Sequence, residues 1–180
     1  EQVEYDLGSE LVLKDHGQLT GRKLQVGERA YDLVVLPPGL ENLEASTAGL
    51  LKNFLKSGGK VISWGENELL LEGKPSSLGE EFRTEGNFEQ FEPASFSAER
   101  LAEVFSARIK PAIEFSQLSG QEMLFHQRRQ YKDGQILFLA NISPDQPASG
   151  EIKLKGQSLE KWDLRSGQVS YFRQKGKGSG

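Results

Sequence analysis

Trp64, Glu66, Asn67, Glu68 and Glu72 crowd one short stretch of the chain, and their side chains are of the types that could do chemistry. Two carboxylates held across a scissile bond are the equipment of glycoside hydrolysis. An indole face stacks on apolar surface, and a neighbouring carboxylate or amide fixes polar groups by hydrogen bonds. With 26 acidic residues in 180, however, nearby carboxylates arise by composition alone. The acids at 66, 68 and 72 therefore read first as a solvated loop. Trp64 reads first as core or interface packing. It also ends an apolar run at the expected carboxyl end of a buried strand, the edge where open α/β sheets bind ligands. Trp64, Glu66 and Asn67 are the expected contact residues if this rim binds a ligand.

Other chemistries are poorly provided for. A nucleophile needs a base beside it, usually His, and only His16 and His126 are present. His16 falls at an expected helix end beside Gly17, where it complements the C-terminal carbonyls, and His126 falls within an expected strand. No catalytic residue is expected. The absence of cysteine excludes disulfides, thiolate zinc sites and a Cys nucleophile. Two histidines are too few for a multi-histidine metal centre, so neither metal nor cofactor is expected. Phosphate loops place glycines ahead of a helix N-terminus, whereas Pro37-Pro-Gly-Leu-Glu-Asn-Leu-Glu44 offers one glycine and two acids that repel phosphate nearest it. Trp162, beside Asp163, reads as packing beneath a β module.

The elements that must position these residues are legible from their periods. Leu33–Leu36 is a continuous apolar run, the pattern of a strand buried on both faces, and it breaks on Pro37-Pro38-Gly39. Val61-Ile-Ser-Trp64 is a second such run. Between them Ala48, Leu51 and Leu55, widened by Leu50 and Phe54, share one helical face, with Ser46 or Thr47 as N-cap and Gly58-Gly59 as the stop. Strand, helix and strand make a βαβ unit, which requires a parallel pair. Before it come a short helix capped by Ser9 and closed by Gly17 in the left-handed conformation, then two extended pieces around Gly21-Arg22. After it come a strand near 88–91, a helix capped by Ser97 with Leu101, Val104 and Phe105 inward, and a last strand over 112–115.

From about Gln121 the period changes to two. Residues 123–131 and 135–140 read as a hairpin around Lys132-Asp-Gly134, since Asp-Gly accepts positive φ. Short strands over 151–154, 158–162 and 168–172 follow, the last two joined by Arg165-Ser-Gly167. The expected fold class is α/β: a flavodoxin-like or amidotransferase-like parallel sheet with helices over residues 1–118, a small antiparallel β module over 121–175, and a flexible tail over 176–180.

With 36% hydrophobic and 27% charged residues the composition is that of a globular chain. The net charge is −4 and the basic residues are scattered among acids, which indicates neither nucleic acid nor a membrane surface as partner. No apolar run approaches the ~20 residues that span a bilayer. The chain opens at Glu1 rather than Met, and a piece of a longer protein is the expectation.

Tyr31-Asp-Leu-Val-Val-Leu-Pro-Pro-Gly39 followed by Leu50-Leu-Lys-Asn-Phe-Leu-Lys-Ser-Gly-Gly-Lys-Val-Ile62 resembles the glutamine-amidotransferase-like domain of large bacterial glycoside hydrolases. Phe125-His-Gln-Arg-Arg-Gln-Tyr-Lys-Asp-Gly-Gln-Ile-Leu-Phe-Leu-Ala-Asn141 resembles a strand pair of their C-terminal β domain, and Glu160-Lys-Trp-Asp-Leu-Arg-Ser-Gly167 resembles its L-W-D-x-x-T-G turn. The overall likeness is to α-L-rhamnosidase-type enzymes of glycoside hydrolase family 106, with the β-galactosidases of family 42 as neighbours. The resemblance implies a non-catalytic accessory region that supports an active site or mediates oligomerisation. Its implied partners are an upstream catalytic barrel of the parent chain, an oligosaccharide, or a second copy, and its implied location is periplasmic or secreted. Catalytic carboxylates would belong to the barrel, which needs about 250 residues, so none is carried over. The segment matching Tyr5-Asp-Leu normally follows a strand and helix, which implies an uncovered sheet edge here. A sugar-binding module acting through Trp64 is the alternative, and an autonomous α/β hydrolase is the third reading.

Overall fold

The computed structural model describes residues 3–65, 68–119, 124–156 and 158–171. Two compact units divide the chain, Tyr5–Arg108 on one hand and Glu1–Glu4 with Ile109–Gly180 on the other.

The first unit opens with helix α1 (Glu10–His16) and an antiparallel meander of β1 (Gly17–Thr20), β2 (Lys23–Val26) and β3 (Arg29–Tyr31). Its heart is a parallel sheet of β4 (Leu33–Leu36), β6 (Lys60–Ser63) and β8 (Phe88–Gln90) in that order. A second, two-stranded parallel sheet joins β5 (Asn42–Leu43) to β7 (Leu70–Leu71). Helices α2 (Ala45–Lys56) and α3 (Leu78–Arg83) follow β5 and β7, and α4 (Ala98–Ser106) follows β8 after a 3-10 turn at Pro93–Ser95.

Alternation along the strands sorts the apolar residues into two layers. Val34, Leu36, Val61 and Phe88 face a core built by Leu51, Phe54 and Leu55 of α2 and Leu78 and Phe82 of α3. Leu33, Val35, Ile62 and Trp64 face a second core with Leu101, Val104 and Phe105 of α4. The continuous apolar runs are thus explained: each of these strands is covered on both faces.

The stop of α2 follows its glycines. Gly58 stands at φ +92° and donates to Leu55 O at 2.9 Å, while Gly59 donates to Phe54 O at 2.9 Å, the paired bonds of a Schellman ending. Its start differs from expectation. Neither Ser46 nor Thr47 caps it, because the helix begins earlier, at Ala45; instead the carboxylates of Glu10 and Glu72 accept from Glu44 N (2.8 Å) and Ala45 N (3.3 Å). Carboxylates suit that end, where the helix dipole is positive. Ser97 does cap α4, accepting from Arg100 N at 3.1 Å. Ser9 holds the N-cap position of α1 without a side-chain cap bond. Gly17 is extended rather than left-handed, since it already begins β1, and its requirement is space: a Cβ there would meet Leu13 O and Leu50 Cδ2.

In the second unit, β9 (Glu114–Ser119) pairs antiparallel with β12 (Ser149–Lys153), β10 (Leu124–Gln130) with β11 (Gln135–Asn141), and β13 (Glu160–Trp162) with β14 (Val169–Tyr171). The strand expected to finish the parallel sheet over 112–115 therefore belongs elsewhere: β9 finds its hydrogen bonds on β12. A bulge at Gln117, φ +52°, bends this pair. The turn at Lys132-Asp-Gly134 is also corrected, because no residue there takes a positive φ; Gln130 pairs with Gln135, and the four-residue loop between them is closed by Tyr131 N donating to Gly134 O at 2.7 Å. No described helix is long and apolar enough to cross a membrane.

Candidate functional site

The carboxyl ends of β4 and β6 stand side by side. Leu36 pairs with Ser63, and Trp64 N extends the ladder by donating to Leu36 O at 3.0 Å. The Pro37-Pro38-Gly39 and Trp64-Gly65 segments consequently leave the sheet on one rim. Gly39 takes φ +77° there, and Gln90 Nε2 donates to Gly65 O at 2.9 Å, pinning the rim to the end of β8.

Trp64 does not offer its ring to this rim. It is 0% exposed, stacked on Phe91 at 5.0 Å between ring centroids and met edge-on by Phe96 at 5.6 Å. Arg100 lies over the Phe91 ring at 4.9 Å, so a cation and three aromatics pack beside α4. The physical reason is the strand period, which turns Trp64 to the same face as Ile62, into the second core. Burying an indole usually requires a partner for its N–H, yet Nε1 of Trp64 has no acceptor among the described residues. Glu66 and Asn67, the other expected contacts, lie outside the described residues.

The remaining acids have structural occupations or face solvent. Glu72 takes φ +52° and Gly73 φ +75° in a tight turn closed by reciprocal Leu71 and Lys74 backbone bonds, the geometry that demands positive φ at both central residues. That turn aims the Glu72 carboxylate at Ala45 N. Glu68 is exposed. His16 is exposed at the end of α1, and His126 packs its ring on Phe115 at 5.3 Å. Neither ring is hydrogen-bonded to a hydroxyl or an acid among the described residues, so no nucleophile–base pair forms there. No group of three metal-binding side chains comes together among the described residues.

A cleft of about 270 Å³ lies between α2 and α3, lined by Lys52, Lys56, Glu81, Phe82, Thr84 and Glu85. Two of its charges are paired. Lys52 ion-pairs with Glu81, and that bond, with a second from Ser77, holds the Glu81 carboxyl below its usual range. The cleft is a charge-laced helix seam over the buried Phe82 ring rather than an apolar receptacle with convergent polar groups.

The tryptophan that does reach solvent is Trp162, 61% exposed, and this corrects its expected burial beneath the β module. Register places Glu160 opposite Tyr171 and Trp162 opposite Val169, so all four project from one face of the β13–β14 hairpin. Tyr171 is 82% exposed. Trp162 Nε1 donates to Glu160 Oε2 at 3.1 Å. The turn behind them is fixed by Asp163, whose Oδ1 accepts from Ser166 N (2.7 Å), Ser166 Oγ (2.8 Å) and Arg165 N (3.0 Å), with Gly167 at φ +71°. The Ser166 backbone N–H, then its hydroxyl and the Arg165 N–H, hold the Asp163 carboxyl below the usual range. Period-two spacing on either side of one tight turn was the signal for this face. What the sequence lacked was any sign that its rings are exposed.

Comparison with family models, with curated proteins and with solved structures gave no match.

Proposed function

We propose that the chain is a non-catalytic accessory region of a carbohydrate-degrading glycoside hydrolase, rhamnosidase- or galactosidase-like, whose β unit docks against the catalytic barrel of its parent protein. One observation carries the docking. Among the residues of the second unit whose burial is described, only Ile113 is buried, while Phe125 (58% exposed), Phe138 (46% exposed) and Ile136 stand on one face of the β10–β11 hairpin. A set of two-stranded ribbons with so small a core needs apolar cover from another surface. Contiguous exposed apolar side chains are what such an interface presents. The catalytic assignment to another domain is supported by the lack of a nucleophile–base pair among the described residues and by the motif resemblance.

We further infer a flavodoxin-like, amidotransferase-like topology for the α/β unit. Three parallel strands in sequential order, with α2 and α3 on one face and α4 on the other, support it.

The test has two arms. The isolated chain should hydrolyse neither aryl α-L-rhamnoside nor aryl β-galactoside and should release no ammonia from glutamine. In the parent protein, Phe125→Asp with Phe138→Asp should lower the thermal midpoint and the activity by much more than they lower the midpoint of the isolated chain, in which those rings are already about half exposed. Turnover by the isolated chain that survives repurification, or a parent protein indifferent to the double change, refutes the proposal. Concentration-dependent dimerisation abolished by the same changes would replace the barrel with a second copy.

A further inference from the structure

We propose that the Glu160–Trp162–Tyr171 face of the β13–β14 hairpin is a binding platform for a neutral, extended pyranoside chain. Trp162 lies diagonally across the ribbon from Tyr171, a separation of ~7–8 Å between backbones, so an extended chain laid along that diagonal meets both aromatic side chains. The C–H face of a pyranose is apolar and its rim carries hydroxyls. The platform has the complementary layout: two exposed rings on one diagonal of the face, with Val169 and the Glu160 carboxylate at the ends of the other.

Glu160 decides between a saccharide and a protein partner. Its Oε2 accepts from the Trp162 indole, and Oε1 has no hydrogen bond or ion pair among the described residues. A dry protein interface centred on these rings would have to supply a cation for that carboxylate or bury it unpaired, and charged residues are depleted at interface cores. Sugar hydroxyls supply donors to a carboxylate without requiring its desolvation in full. The indole bond also fixes the plane of the Trp162 ring, and the three bonds to Asp163 with Gly167 fix the turn that holds the two strands. The site is therefore organised before a ligand arrives, which lowers the ordering cost of binding.

This inference does not depend on a catalytic barrel. It uses a different hairpin from the docking face, so Phe125→Asp with Phe138→Asp should leave saccharide binding unchanged, and either reading can fail alone.

The probes are cellohexaose, xylohexaose and mannohexaose, each titrated into the full chain. Only Trp162 of the two tryptophans is exposed, so binding should shift its emission and protect it from iodide, while Trp64, in the other unit, keeps its emission constant as an internal reference. By calorimetry Trp162→Ala should weaken binding roughly tenfold, the equivalent of one lost ring contact. Tyr171→Ala should weaken it by a similar factor, and Trp162→Phe by only about two- to threefold, since a ring remains. Should Trp162→Ala fail to fold, the Tyr171→Ala and Trp162→Phe pair carries the same discrimination. No response to any of the three oligosaccharides, or binding that ignores the loss of these rings, overturns the proposal.

Discussion

Arg128 grips Glu4 with both prongs of its guanidinium, Nε to Oε1 at 2.6 Å and Nη2 to Oε2 at 2.7 Å, across 124 residues of chain. The Arg128 side chain is only 14% exposed, and its third nitrogen reaches Gln130 Oε1 at 2.9 Å and Gln135 Oε1 at 3.3 Å. A half-buried fork of this kind is stronger than a surface ion pair. Arg128→Ala should cost about 2 kcal/mol in chemical denaturation, within the range for hydrogen bonds to charged groups. Arg128→Lys should recover less than half, because an ammonium cannot form the fork. Equal stability of Lys and Arg at this position would show that charge alone matters.

Trp64→Ala should destabilise the chain by about 3–5 kcal/mol, the usual cost of removing a large buried aromatic. Trp64→Phe should cost far less, since it keeps a ring against Phe91 and removes an N–H that finds no acceptor among the described residues. Urea unfolding of the two variants checks this. Similar losses for both would mean that the indole N–H has a partner after all.

Tyr31 is pushed up to about 12, by burial first and then by its 2.7 Å bond to Asp6, in which the phenol donates. A phenol near 10 when unfolded and near 12 when folded contributes stability that is whole below pH 10 and is lost as pH rises towards 12. An ultraviolet titration should show one late-ionising tyrosine among the four. Tyr31→Phe should abolish that phase and cost about 1 kcal/mol at neutral pH.

Gly58→Ala should cost about 1–2 kcal/mol, because φ +92° lies where a Cβ is strained. Gly59→Ala should cost more, since its Cβ would enter the Phe54 ring and disturb the core of α2. Reversal of that order in thermal melts would indicate that Phe54 moves aside freely.

What could be read from the sequence was what depends on neighbours along the chain. The β4–α2–β6 unit follows from apolar runs punctuated by Pro and Gly, and the Ser97 cap from a local hydrogen bond. The partner of β9 was not readable, because residues 114–119 are chosen by 149–153, whose pattern suits any exposed ribbon. Trp64 illustrates the same limit at the candidate site. Its position at a strand end was legible, but its cover comes from Phe91 and Phe96 across a loop and a third strand. For Trp162 the alternation was visible and its exposure was not.

The face on which α4 lies has a topological consequence. Right-handed crossovers move a parallel sheet in one direction while the helices stay on one side, and reverse it when a helix changes side. β4, β6 and β8 advance with α2 and α3 on one side; α4 lies on the other. A strand entering after α4 would thus be sent back past its starting point, to the outer edge of β4, and among the described residues that edge is unoccupied. Continuation of this sheet through a right-handed crossover after α4 is directed to Leu33–Leu36, with Pro37 and Pro38 setting where the template stops.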